Sequence, residues 1–416
     1  MKRIIIIALL GILTSGVALH SQVLTGIDVL ESNGFEQLKG KKVGLVTNPT
    51  GVNKNLVSTV DILFASEEVE LVGLFGPEHG VRGDVHAGDK VAGGVDAKTG
   101  VPIHSLYGKT RKPSKESLEG IDAFVYDIQD NGCRSYTYIS TMGKIMETAA
   151  ENDLEVIVLD RPNPLSGLKV EGAIVESDDY VSFVSQFKIP YLYGLTCGEL
   201  AILLNEEGMI KDAEGNSVKC KLTVVPMKGW KRKMFFEETG LPWVLPSPHQ
   251  PHPLSAYLYP STGILGELYT FSIGVGYTMP FELIATDGIS ADLLAETLNS
   301  RNIPGVKFRP INIKPFYSVG KGSDLQGVQI FLTDKKAAHL SAIQFQVLES
   351  IAALYPEKAI FKLAPEDRYR MFDLVMGSNF YRETFARTHK WDDIKDRWNV
   401  GLDEFVELSS KYYLYK

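Results

Sequence analysis

Leu74-Phe75-Gly76-Pro77-Glu78-His79-Gly80-Val81-Arg82-Gly83-Asp84 is an apolar, β-prone run that breaks into two acids, a histidine, an arginine and three glycines. The same grammar recurs along the first half of the chain. Residues 42–47 are β-rich and end at Asn48-Pro49-Thr50-Gly51, residues 123–128 end among Asp127, Gln129 and Asp130, and residues 156–159 end at Asp160-Arg161-Pro162-Asn163-Pro164. Helical spacing separates them, at residues 56–65 and 142–150. Strands that alternate with helices specify an α/β fold with a mostly parallel, Rossmann-like sheet. Such sheets bind ligands outside the carboxyl ends of their strands. Four polar, Pro/Gly-punctuated strand ends therefore predict one convergent site.

The fold does not bring a dinucleotide with it. No Gly-x-Gly-x-x-Gly follows the first strand, and no Walker A sequence is present. The chain has 416 residues, 44% of them hydrophobic, and a formal charge of -8. That length predicts two domains. The acidic balance argues against a nucleic-acid partner, which would need a basic field. Lys2, Arg3, the short apolar run 4–13 and the small residues Ser15, Gly16 and Ala18 read as a signal peptide over 1–22, cleaved between Ala18 and Gln22. Export to the periplasm or exterior, with no stable membrane insertion, is the expectation. Cys133, Cys197 and Cys220 are too few and too scattered for a disulfide framework or a zinc site.

Residues 188–288 are rich in proline and aromatics, which places long loops around a scaffold. A new α/β pattern starts at 289, with helical spacing at 291–299, a strand at 328–332 and a long amphipathic helix at 337–354. The expected division is a catalytic domain over 23–288 and a smaller α/β or α+β domain over 289–416, with the active-site cleft between them.

The chemistry follows from the strand ends. Glu78, shielded by Phe75 and nearby loops, is placed as a general acid, with His79 as an orienting or proton-shuttling partner. Asp127 and Asp130 are the candidate partners, because glycoside hydrolysis commonly uses two carboxyl groups, and Asp127 is taken as the supporting carboxylate. Arg134, Tyr136 and Tyr138 suit an anionic sugar: the guanidinium offers a fork to a carboxylate and the rings stack on sugar faces. Arg82 and Arg161 add positive charge, and Asn48, Asp130, Asp160 and Glu282 complete the expected substrate-facing set. The plainer readings are turn caps for the acids, core positions for the tyrosines and a structural ion pair for Arg134. No cofactor and no metal are expected. Spacing among His79, Asp84, His86 and Asp89 matches no zinc motif; a metal-dependent amidase or esterase using His79, Asp84 and His86 is the rival that such a cluster would support. A sugar-binding protein without turnover is another.

Taken in order, Gly76-Pro77-Glu78-His79-Gly80, the stretch 105–113, Asp127 to Asp130 with Arg134 and Tyr136-Thr137-Tyr138, Asp160-Arg161-Pro162-Asn163-Pro164 and Leu241-Pro242-Trp243-Val244 resemble the bacterial exo-β-N-acetylmuramidases. This glycoside hydrolase family was long described as a domain of unknown function. The resemblance implies a Rossmann-like domain beside a smaller one and release of N-acetylmuramic acid from non-reducing ends of peptidoglycan fragments. It also implies that Glu78 is the acid and that a pocket arginine meets the lactyl carboxylate. The family commonly carries Glu-Gly-Thr-Asn, then Gly-Arg-Gly-Thr before Pro-Phe-Glu. Here Glu267-Leu268-Tyr269-Thr270 and Gly274-Val275-Gly276-Tyr277 stand instead, and the family arginine is missing. Pro248-His249-Gln250-Pro251-His252 also departs, which implies a different muropeptide or amino-sugar preference.

Overall fold

The computed structural model describes residues 22–83, 93–108 and 111–416. The signal-peptide reading over 1–22 falls almost wholly outside them, as do Asp84, His86 and Asp89. The first half builds a seven-stranded sheet from β1 (Lys42–Thr47), β2 (Glu70–Gly76), β3 (Gly94–Val95), β4 (Pro102–Ser105), β5 (Ala123–Asp127), β6 (Glu155–Leu159) and β9 (Lys221–Val225). A short hairpin of β7 (Val170–Glu171) and β8 (Leu192–Tyr193) lies apart. The strand order is β3-β4-β2-β1-β5-β6-β9, parallel except at the β3 edge.

Strict alternation along the strands explains the three layers. Phe124, Tyr126, Val156 and Val158 pack on one face with α3 (Tyr138–Glu151) and α4 (Cys197–Glu206). Ala123, Val125, Ile157 and Leu159 face the other way, toward α1 (Gly26–Ser32) and α2 (Thr59–Ala65). Helix α2 starts three residues later than its apolar spacing predicts. The Asn53 side-chain Oδ1 accepts from the backbone N–H groups of Asn55 and Val57, and the Val52–Ser58 bridge closes this turn ahead of the helix.

The second sheet is antiparallel, in the order β10 (Leu283–Thr286), β12 (Leu325–Leu332), β11 (Val306–Ile313). Helices α5 (Pro253–Gly266), α6 (Ala291–Ser300) and α7 (Ile343–Leu354) surround it, followed by short helices to residue 410. The expected boundary at 288 is corrected by this pairing. β10 belongs to the second sheet, and α5 packs on α7 of that unit. Pro253 starts α5, where its missing N–H costs nothing, but Pro260 lies inside the helix and hid it in the sequence. Helix α7 is shorter than expected because residues 340–342 form a 3₁₀ turn.

Candidate active site

The order of the first sheet reverses at β1 and β5: β2 and β4 lie on one side of that pair, β6 and β9 on the other. Ligands favour this switch point at the carboxyl strand ends. Asn48 leaves β1 there, Glu78 follows the adjacent β2, Asp130 follows β5, and Tyr136 and Tyr138 lead into α3. Pro77 to Gly80 forms a tight turn closed by the Gly80 N–H on the Pro77 carbonyl, 3.0 Å. His79 carries φ 72° in it, a left-handed conformation that a non-glycine residue adopts at a cost of about 1–3 kcal/mol. The strain falls on the residue next to the expected acid.

Tyr138 is the hub. Its hydroxyl donates to the Pro246 carbonyl and lies beside the Asn48 amide and the Tyr136 hydroxyl. Glu78 and Asp130 both act on it electrostatically. Glu78 also accepts from the Tyr107 hydroxyl, and burial together with this carboxylate pushes Tyr107 up to about 12. Asn48 is locked, its carbonyl oxygen accepting from the Thr50 N–H at 2.9 Å and from the Thr50 hydroxyl. Three buried polar atoms around Tyr138 make no well-formed hydrogen bond within the protein: Asn48 Nδ2, Tyr136 Oη and Asp130 Oδ1. Buried polar atoms are normally paired, so such a cluster marks a place for polar ligand groups. Burial pushes the Asp130 carboxyl up to about 7, against the lowering effect of the Tyr193 hydroxyl and the Gly132 N–H bonded to its other oxygen.

The structure gives other expected site residues different work. Arg134 is 0% exposed, and its five N–H bonds go to Ser185 Oγ and the carbonyls of Ala173, Ile189, Val375 and Met376. All five donors are used, so none remains for a substrate carboxylate. Asp127 is held by Arg161 through Nε at 2.5 Å and Nη2 at 2.9 Å, and it accepts from the Thr59 hydroxyl at 2.5 Å. It is a buried ion pair that fixes the turns after β5 and β6, which removes it as the free supporting carboxylate. Asp160 caps α4, accepting from Gly198 N–H at 2.8 Å and Thr196 Oγ at 2.7 Å, with Tyr415 Oη at 2.5 Å. Burial pushes it up to about 6. Arg82 pairs with Asp96 at 2.9 Å and Asp61 at 3.1 Å. Glu282 lies 3.2 Å from the His252 ring, and burial raises its carboxyl.

Three residues around the site were not singled out from the sequence. Tyr107 lies within a quoted motif but is recognisable only by its contact with Glu78. Arg111 is the cation that acts on Tyr107, its guanidinium 4.0 Å from the Phe183 ring centroid. Tyr259 on α5 packs edge-on against Tyr136 at 5.6 Å, joining the second unit to the site, and both Glu78 and Glu267 act on it.

The model of the family described as Exo-beta-N-acetylmuramidase NamZ, N-terminal, matches residues 43–254, and that of its C-terminal domain matches 257–415. A peptidoglycan beta-N-acetylmuramidase NamZ from Bacillus subtilis (strain 168) is 45% identical over 394 residues, covering 95% of this chain and 92% of that protein. A crystal structure of a DUF1343 family protein from Bacteroides fragilis NCTC 9343 is 58% identical with a TM-score of 0.90, covering 95% of this chain and 99% of that one. A second DUF1343 protein from the same organism is 29% identical with a TM-score of 0.74 and the same coverage. Both family models lie end to end along the described fold, and the chain belongs to the exo-β-N-acetylmuramidase family.

Proposed function

We propose that this protein is an exo-acting glycosidase that removes N-acetylmuramic acid from the non-reducing ends of peptidoglycan fragments, with Glu78 as the general acid. The observation that carries this reading is the convergence of Glu78, Asn48, Asp130 and Tyr136 on Tyr138 at the sheet's switch point, with three buried polar atoms that make no well-formed hydrogen bond within the protein. The Glu78 carboxyl protonates the glycosidic oxygen as the C1–O bond breaks, and the next sugar leaves as an alcohol. Water then adds to C1 and returns a proton to the carboxylate. Asp130, with one oxygen free of protein partners, takes the second-carboxyl role first assigned to Asp127, facing the oxocarbenium-like centre or the sugar's acetamido group. Arg111, beside Tyr107, replaces Arg134 as the cation for the lactyl carboxylate.

Product analysis tests the reading. The full chain incubated with a disaccharide carrying N-acetylmuramic acid at its non-reducing end yields the free sugar by mass spectrometry. The disaccharide of reversed order stays intact. Binding without cleavage would favour the receptor alternative, and activity abolished by chelation would favour the metal-dependent one. Export is part of the same proposal: the N-terminus of the mature protein falls between Ala18 and Gln22 by N-terminal sequencing.

A further inference from the structure

A cavity of about 250 Å³ lies at the carboxyl end of α5 and shares a wall with the catalytic centre. Tyr259 is that wall. It lines the cavity, packs against Tyr136, and feels Glu78 and Glu267 together. Of the ten non-glycine residues with positive φ among the described residues, three line this cavity: Tyr269 at 50°, Phe281 at 69° and Ser318 at 64°. Strained backbone gathers where a site over-determines it. Gly276 serves the same construction, because a Cβ there would meet the Tyr317 carbonyl oxygen at 1.9 Å and push the 315–318 loop off the rim.

The mouth is aromatic. Tyr269, 60% exposed, lines it, and Tyr317, 49% exposed, stands beside the lining residues His249 and Ser318. Arg368 presses on the Tyr269 ring with its guanidinium 4.1 Å from the centroid, and His249 holds the Tyr317 hydroxyl at 2.9 Å. These are oriented rings offered to solvent, the form that stacks on sugar C–H faces. Among the described residues no lysine or arginine lines the cavity itself. The Glu267 side chain lines it, 32% exposed, and the Arg368 guanidinium at the mouth lies 3.9 Å from its carboxylate. The pair leaves the mouth without net charge, and a neutral amino sugar is suited. Along the sheet edge β4-β2-β1-β5, Tyr107 follows β4 on one side of Glu78, and Tyr138, with the Tyr136–Tyr259 pair, follows β5 on the other.

Resting on the muramidase reading above, we infer that this cavity is the leaving-group subsite: the uncharged amino sugar beyond the scissile bond stacks on Tyr269 and Tyr317 and hydrogen-bonds Glu267, while the muramyl carboxylate lies toward Arg111. The test compares a muramyl-amino-sugar disaccharide with an aryl muramide, whose leaving group is not a sugar, in full-length Tyr269→Ala. The ratio of kcat/KM for disaccharide to that for aryl muramide falls about tenfold, the size of one lost aromatic contact. N-acetylglucosamine, as a competitive inhibitor of aryl muramide turnover, weakens by a similar factor. An unchanged ratio, including equal losses on both substrates, overturns the assignment. Failure of the catalytic reading looks different, because Glu78→Gln would then retain turnover whatever the Tyr269 ratio shows.

Discussion

Replacing Arg134 by methionine separates a structural clamp from a carboxylate-binding fork. The side chain fits a fully buried slot and donates to four backbone carbonyls and one serine hydroxyl, two of the carbonyls belonging to the helix that ends at Met376. Burial lowers the guanidinium to about 10, so it is charged at neutral pH without a facing carboxylate. Methionine preserves most of the packing and removes every donor. Four buried carbonyls losing a donor at roughly 1 kcal/mol each, the low end of the usual penalty, give about 4 kcal/mol of destabilisation. For a chain of this length that lowers Tm by about 5 °C in a calorimetric scan. The folded fraction, assayed below the transition, keeps its KM for a muramide within about twofold. A variant with wild-type Tm and a tenfold higher KM would refute the clamp and restore Arg134 to the substrate.

Three further outcomes follow from the same geometry. Asp127→Ala strands the Arg161 guanidinium and costs about 3–5 kcal/mol, whereas combining it with Arg161→Met recovers most of the loss in thermal scans; a fully stable Asp127→Ala with a thousandfold lower kcat would return Asp127 to catalysis. Arg111→Ala raises KM for muramides about tenfold or more and narrows the preference over the matching glucosaminide lacking the lactyl group; equal kinetics on both would remove Arg111 from recognition. Asp130 and Asp160 have carboxyls raised to about 7 and about 6 from 3.8. The folded state favours their protonated forms, so the stability they supply is complete below about pH 4 and lost as pH rises through 6 and 7. Tm should fall across that window and fall less in Asp160→Asn; a rise would contradict the assignment.

The parallel sheet was legible because both of its faces are covered, so its strands read as apolar runs closed by polar turns. Asn48, Glu78 and Asp130 stand just beyond strand ends, where the apolar runs break, and Tyr136 and Tyr138 stand at the entry to α3. The misassigned residues share a cause. Arg134, Arg161, Asp127 and Asp160 have the chemistry of a site, but their partners lie across the fold: a carbonyl near residue 376, a hydroxyl at 59, a C-terminal tyrosine at 415. Short-range patterns carry no record of such pairings. Helix α5 was hidden by Pro260, and with it Tyr259, the residue through which the second unit reaches the catalytic centre. Glu267 stood in a motif that departs from the family pattern, and only the cavity at the end of α5 shows what it faces.

The central claim is that Glu78 delivers the proton to the departing sugar. Single-turnover hydrolysis of a defined muramyl disaccharide by Glu78→Gln tests it most directly, because the amide keeps the shape and contact with Tyr107 but has no acidic proton to give. The expected result is a loss of about a thousandfold in rate, within the usual range for general acid catalysis, with Tm and substrate binding near wild type. Turnover within a few-fold of wild type would contradict it and move the acid elsewhere in the cluster around Tyr138.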